Sequence, residues 1–172
     1  MNSTFYMFEK YFRNINISIF FVTFLFIISK PIENLPDSNS YLMMDLNRSA
    51  IYPIFLWTIK YIFNSYFNFA TIILQGLFGI FAINFFINNL KKYYKLEPIF
   101  YHLLTIILIV PYFLHSYNVA NRFLSEALAY PLYLIVISYF LTFLITEKSK
   151  PLFFSIPVLI LLILTRNQFL FL

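Results

Sequence analysis

The sequence predicts an all-α, polytopic membrane protein with about five transmembrane helices that form a single membrane domain over residues 1–172. The chain is 61% hydrophobic and only 11% charged, whereas soluble domains average about 45–50% apolar and about 25% charged residues. Its mean hydropathy is +0.78. The apolar runs are continuous rather than alternating, which favours helices over barrel strands as the spanning structure.

Composition also excludes several kinds of site. The chain has no cysteine, so disulfides, thiolate metal sites and cysteine nucleophiles are absent. It has only two glycines, which are too few for a phosphate-binding glycine loop. The basic residues stand singly at the ends of apolar runs and form no basic stripe, so we expect no nucleic-acid partner.

Five apolar runs approach the roughly 20 helical residues that cross a hydrocarbon core of about 30 Å. They cover residues 15–29, 67–87, 99–114, 128–145 and 151–172. The first run is short, and the flanking Arg13 and Lys30 extend it by reaching toward the membrane surface. The five runs therefore predict five membrane spans.

The segment 51–66 precedes the second span and has a different composition. It combines Trp57, Lys60 and several tyrosines, a mixture that suits the depth of the lipid headgroups. We expect a juxtamembrane interfacial helix in the first outer loop, with Pro53 in its first turn, leading into the second span.

Lysine and arginine in short loops predict the orientation of the chain in the cytoplasmic membrane. With the N-terminus in the cytoplasm, seven basic residues lie inside and five outside, and the cluster at 91–95 lies inside. The inner set is Lys10, Arg13, Lys91, Lys92, Lys95, Lys148 and Lys150, and the outer set is Lys30, Arg48, Lys60, Arg122 and Arg166. The segment 36–55 and the loop 115–126 then face the outside.

The first outer loop holds the most unusual charges. Asp37 is predicted either to cap a short helix or to act chemically, and the two roles are compatible. Asp45 lies eight residues further along the same predicted helix, where it is either solvated or paired with Arg48 at i+3. Two carboxylates can hold a divalent cation, but nothing else in the chain resembles a ligand set, so we expect no metal site and no cofactor.

The second outer loop and the last span supply the other candidates. Arg122 and Glu126 are four residues apart, which predicts an exposed ion pair worth about 0.3–0.5 kcal/mol. His115 is either an interfacial histidine or a donor to phosphate, and Arg166 either snorkels to the surface or binds phosphate. His102 falls within the third span, where we expect a packed, hydrogen-bonded side chain.

Five short stretches in order resemble the N-terminal part of a GT-C type polytopic glycosyltransferase, the group that includes protein O-mannosyltransferases and lipid A aminoarabinose transferases. The stretches are "PDSNSYL", "RSAIYPIF", "ILQGLFG", "NRFLSEALAYPLYL" and "LTRNQFLFL". Ala50 and Asn167 stand where many members carry proline. Members are typically longer, with more spans, so we expect the chain to be the N-terminal portion of such a transmembrane domain, and truncation can abolish activity.

The resemblance implies transfer of a sugar from a polyprenyl-phosphate donor to a glycan, lipid or protein acceptor at the outer membrane surface. It implies that Asp37 is the catalytic base and that Glu126 orients or assists. The remaining substrate-binding candidates are Tyr41, Asp45, Arg48, Tyr52, His115, Arg122 and Arg166. Arginines suit a leaving group that gains charge on phosphate, and a carboxylate suits a weakly nucleophilic hydroxyl.

A non-catalytic accessory membrane protein, or a part of a transporter, remains the alternative. A transporter predicts internal repeats and charges that face each other within the spans. The chain shows no internal repeat, and its spans are nearly free of charge. The carboxylates that lie outside concentrate in loops, as an outer-face enzyme predicts.

Overall fold

The chain is all-helical, which confirms the predicted fold class at that level. We describe it from a computed structural model that covers residues 3–45, 47–94, 96–114 and 118–166. Its helices are α1 (Ser3–Ser29), α2 (Ser38–Leu42), α3 (Ile51–Phe63), α4 (Phe67–Tyr93), α5 (Pro98–Ile109), α6 (Glu126–Thr146) and α7 (Ser149–Thr165). Short 3₁₀ turns occupy Asn64–Tyr66 and Val110–Tyr112.

The first four apolar runs of the sequence lie largely in α1, α4, α5 and α6, the fifth run up to Thr165 lies in α7, and the segment predicted to be interfacial forms α3. Residues 167–172 of the fifth predicted span lie outside the described residues. Pro53 lies in the first turn of α3 as predicted. Pro98 opens α5, where its missing N–H costs no hydrogen bond. Pro111 lies within the 3₁₀ turn that follows α5, and proline cannot donate the next helical hydrogen bond.

Two helical segments among the described residues are long and apolar enough to cross a membrane. They are Ile51–Tyr93 and Glu126–Thr146, which contain 18-residue windows with mean hydropathies of 2.0 and 2.1. The apolar segments Asn14–Ser29, Pro98–Tyr112 and Ser149–Thr165 are shorter. Core helices of soluble proteins share such lengths and compositions, so these properties alone are weak evidence for a membrane location.

The segment Ile51–Tyr93 is not one straight rod. The Gln75 amide of α4 donates to the Tyr52 hydroxyl of α3 at 2.7 Å, whereas 23 residues of straight helix would separate them by about 35 Å. The reversal lies at Asn64, which ends α3 with a positive φ of 39°. The helix α3 therefore folds back against α4 as a separate element.

The bundle is organised around α4 and α6, which pack against each other, while α7 packs against α6 and α1 against both α4 and α5. Gly79 of α4 leaves room for the Tyr112 side chain, because a Cβ at this position would overlap the Tyr112 hydroxyl. His102 of α5 contacts Asn16 of α1 through a hydrogen bond of 2.9 Å, as expected for a packed histidine.

Chain connectivity brings the polar loops to one end of the bundle. The helices α1, α5 and α7 finish there, and α3 and α6 begin there. A single parallel bridge between Glu33 and Arg122 joins the loop after α1 to the loop before α6. We call this region the polar end and define it by residues 30–52, 118–126 and 166.

Candidate functional site

Three ion pairs lie at the polar end. Arg48 Nη2 contacts Asp37 Oδ1 at 2.6 Å. Arg122 Nη2 contacts Glu33 Oε2 at 2.8 Å. Arg166 Nη1 contacts Glu126 Oε1 at 2.6 Å. Every arginine whose side chain the structure describes is thus held by a carboxylate at this end.

The carboxylate of Asp37 binds Arg48 instead of capping a helix. Asp37 occupies the N-cap position of α2, yet its side chain makes no capping hydrogen bond. Arg48 donates from Nη2 to Asp37 and from Nε to the Ser40 hydroxyl at 2.9 Å. The hydrogen bond to Asp37 raises the pKa of the Arg48 guanidinium above its ordinary value.

The predicted placement of Asp45 is wrong. The helix α2 ends at Leu42, and Met44 adopts a positive φ of 54°, so Asp45 lies beyond a turn rather than on the helix of Asp37. Its Oδ1 accepts the Asn47 backbone N–H at 3.0 Å, as in an Asx turn. Arg48 therefore pairs with Asp37, eleven residues before it. Of the two alternatives for Asp45, the structure agrees with an exposed, solvated side chain.

The predicted pair between Arg122 and Glu126 is also wrong. Side chains four residues apart meet when both lie on one helix, but α6 begins at Glu126 and leaves Arg122 in the preceding loop. Arg122 instead donates from Nε and Nη2 to Glu33 Oε2 at 3.0 and 2.8 Å, and Glu126 pairs with Arg166.

Tyr41 connects two of the ion pairs. Its ring lies 4.9 Å from the Arg48 guanidinium carbon, in cation–π contact. Its hydroxyl hydrogen-bonds the Ser125 hydroxyl at 3.2 Å in a buried setting. Ser125 in turn donates to Glu126 at 3.4 Å. Asp37 and Glu126, the two candidate catalytic carboxylates, therefore belong to one continuous polar network.

Tyr52 packs against Tyr41 and so supports this network. Its ring is buried and meets the Tyr41 ring edge to face at 5.2 Å. Its hydroxyl donates to the Arg122 carbonyl at 3.2 Å and accepts from the buried Gln75 amide at 2.7 Å. Tyr52 is thus a positioning residue that joins α3, α4 and the loop before α6.

Asn121 is a structural residue that sequence reasoning missed. Its side-chain amide is buried and donates from Nδ2 to the backbone carbonyls of Ile27 and Lys30 at 2.9 and 2.8 Å. The backbone carbonyl of Asn121 accepts the Glu33 N–H at 2.7 Å. It thereby fastens the end of α1 to the loop that carries Arg122. A lone asparagine in a polar loop offers no sequence signal for this role.

A cavity of about 500 Å³ opens beside the network. Arg122 and Glu126 line it, together with Pro111, Leu114, Asn118 and Leu124. Asp37 lies outside this lining, and His115 falls outside the described residues. Within those residues, no group of three His, Cys, Asp or Glu side chains is placed to hold a metal ion.

Comparison of the chain with protein-family models, curated proteins and solved structures gives no match. The function of the chain is therefore inferred from the residues and geometry of the polar end.

Proposed function

We propose that the chain is a five-span membrane protein of the glycosyltransferase type, which moves a sugar from a polyprenyl-phosphate donor to an acceptor at the outer face of the cytoplasmic membrane. The observation that supports this most is the polar end itself. Three arginine–carboxylate pairs from distant parts of the chain meet there, and Tyr41 and Ser125 link Asp37 to Glu126.

Exposure of apolar side chains supports the membrane location. Core helices of soluble proteins are mostly buried, whereas only 50% and 39% of the apolar windows of Ile51–Tyr93 and Glu126–Thr146 are buried here. Large apolar side chains point outward along most helices, which soluble monomers avoid. They include Phe21 of α1, Phe81 of α4, Ile107 of α5, Phe140 of α6 and Phe153 of α7.

The chemistry requires a base and stabilisation of a phosphate. The acceptor hydroxyl oxygen bonds to the anomeric carbon of the sugar, and the bond from that carbon to the phosphate oxygen breaks. The electron pair leaves with polyprenyl phosphate, which changes from a diester to a monoester and gains negative charge. The hydroxyl proton passes to a carboxylate.

Asp37 is the proposed proton acceptor. Its side chain is 58% exposed, and its ion pair with Arg48 engages Oδ1, so Oδ2 lies outside that pair. Arg48 orients the carboxylate through the same contact. Glu126 assists from the wall of the cavity, to which it is held by Arg166.

The arginines are the proposed phosphate ligands. Guanidinium groups bind phosphate oxygens in a planar, two-pronged geometry that lysine lacks. Arg122 is the best placed because it lines the cavity of about 500 Å³. Glu33 holds Arg122 in position, so the donor phosphate meets a preorganised cation.

The test uses the full 172-residue chain in liposomes. The liposomes contain a panel of polyprenyl-phosphate hexoses and pentoses that are radiolabelled in their polyprenyl part. Heat-treated envelope lipids and proteins serve as acceptors, and the product measured is free polyprenyl phosphate. We expect release by the wild-type chain and a loss of about 10²–10⁴-fold in Asp37→Asn, the range for a lost general base.

Glu97→Gln is the matched control, because Glu97 is an exposed carboxylate at the opposite end of the bundle. It should release polyprenyl phosphate at the wild-type rate. Equal rates in Asp37→Asn and wild type would contradict the assignment of the base. No release from any donor by the wild-type chain would contradict the transfer reaction and favour an accessory role.

A further inference from the structure

An apolar groove runs between α1 and α5, outside the polar network. Its volume is about 560 Å³, and its walls include Val22 and Thr23 of α1 and Ile106 of α5. The Thr23 hydroxyl donates to the Ile19 carbonyl within its own helix at 2.8 Å, and Ser18, which also lines the groove, donates likewise to Asn14 at 3.0 Å. These hydroxyls are already satisfied, so the walls suit hydrocarbon rather than a polar ligand.

The groove and the cavity at the polar end border on the same stretch of chain after α5. Leu114 lines both, and the adjacent residues Val110 and Pro111 line the groove and the cavity respectively. From Ser18 to the end of α1 at Ser29 the helix rises over 11 residues, or about 16 Å. That is about half of a hydrocarbon core of about 30 Å, the depth of one leaflet.

The Lys30 ammonium lies near the end of the groove that faces the polar end. Lys30 Nζ lies 5.5 Å from the centre of the Phe26 ring. The centre of that ring lies 4.6 Å from the centre of the Phe113 ring, which lines the groove, and the two ring planes are tilted by 30°. The Asn121 amide holds the Lys30 carbonyl, next in sequence to Arg122.

Charges around this opening favour an anion. Arg122 and Arg166 are paired with Glu33 and Glu126, so these four charges balance one another. Lys30 makes no ion pair within the described residues, so it adds a positive charge that no described carboxylate balances.

We propose that the α1–α5 groove binds the first part of a polyprenyl chain while the phosphate of the same lipid lies in the adjoining cavity, near Lys30 and Arg122. Among the described residues, the groove is lined by α1, α5 and the short stretch that follows α5; such a narrow groove fits one chain better than the paired acyl chains of a phospholipid. The inference rests on the proposed function and adds to it the path by which the lipid donor reaches the site.

Photo-crosslinking tests the groove without requiring sugar transfer. The full chain is placed in liposomes of phosphatidylethanolamine and phosphatidylglycerol with a polyprenyl phosphate that carries a diazirine on its first isoprene units. A parallel sample carries the diazirine on an acyl chain of phosphatidylglycerol. Crosslinked peptides are identified by mass spectrometry across a concentration series of each probe.

We expect saturable crosslinks from polyprenyl phosphate to α1 and α5 around Val22 and Ile106. Val22→Trp fills the groove and should reduce these crosslinks at least tenfold. Phe21→Trp is the matched control, because Phe21 is the exposed neighbour on α1 outside the groove lining. It should leave the crosslinks unchanged.

Lys30→Gln tests the headgroup. Loss of one charge-assisted contact should weaken polyprenyl phosphate binding roughly tenfold, and Lys150→Gln at the opposite end should leave it unchanged. Equal, non-saturable labelling by both lipids, or unchanged labelling in Val22→Trp, would overturn the groove assignment. Saturable labelling without any sugar release would support the groove while contradicting the transfer reaction.

Discussion

The two ends of the bundle carry similar numbers of charges but arrange them differently. At the polar end, carboxylates pair with arginines from other parts of the chain, and Tyr41, Tyr52 and Asn121 brace these pairs. At the opposite end, Glu97 and Glu147 make no ion pair within the described residues and are exposed.

The choice of cation differs in the same way. The ion pairs described at the polar end all use an arginine, namely Arg48, Arg122 or Arg166, whereas the opposite end carries lysines, including Lys148 and Lys150, which are exposed. Arginine holds a fixed two-pronged geometry, and lysine acts as a mobile, hydrated point charge. The side chains at the polar end therefore hold charged groups in fixed positions, while the opposite end presents solvated charges.

The largest expected difference between the ends concerns Asn121. Asn121→Ala leaves the carbonyls of Ile27 and Lys30 without their amide partner and should lower the free energy of unfolding by about 2–4 kcal/mol. Asn89→Ala is the matched control at the opposite end, where the side chain makes one hydrogen bond to Ser138. Chemical denaturation in detergent micelles measures the free energy of unfolding of both variants. Equal decreases in Asn121→Ala and Asn89→Ala would contradict the proposed difference between the two ends.

Tyr52→Phe should have the next largest effect. It removes the hydroxyl that the buried Gln75 amide and the Arg122 carbonyl share and should lower the free energy of unfolding by about 1–3 kcal/mol. Tyr61→Phe, at an exposed position of the same helix, should stay within about 0.5 kcal/mol. If Tyr61→Phe lowered the free energy of unfolding as much as Tyr52→Phe does, substitutions anywhere in α3 would destabilise the fold, and the effect would not be specific to the polar end.

A double-mutant cycle on Arg122 and Glu33 should give a coupling energy of about 1 kcal/mol. The Arg122 side chain is only 12% exposed, so water screens this pair less than a surface pair. The same cycle on Glu147 and Lys150 at the opposite end should give no measurable coupling. Coupling at both ends, or at neither, would remove the distinction.

The smallest effect concerns Arg48 and Asp37, the most exposed of the three pairs. Arg48→Gln should lower Tm slightly at 0.1 M salt, and the difference should vanish at 1 M, where the Debye length falls to about 3 Å. The Tm loss of Arg122→Gln should persist at 1 M. Loss of both differences in high salt would mean that the pairs are equally solvated.

The positions of the helices along the chain can be predicted from the sequence alone. Apolar runs and prolines act locally, so the run lengths predict α1, α4, α5, α6 and α7, and the position of Pro53 predicts the start of α3. The same local pattern predicts that Asp37, Arg48, Arg122, Glu126 and Arg166 lie in loops or at helix ends, because charge is costly within apolar runs. Their meeting at one end follows from the alternation of helix directions.

The partners in the ion pairs, in contrast, depend on the tertiary structure. The placement of Asp45 on the helix of Asp37 and the pair between Arg122 and Glu126 are both wrong, since Asp45 follows a turn and Arg122 precedes α6. The pair between Arg122 and Glu33 joins residues 89 positions apart. Such partners depend on the packing of whole helices. No local pattern in the sequence encodes them, and the roles of Asn121 and Gln75 emerge for the same reason.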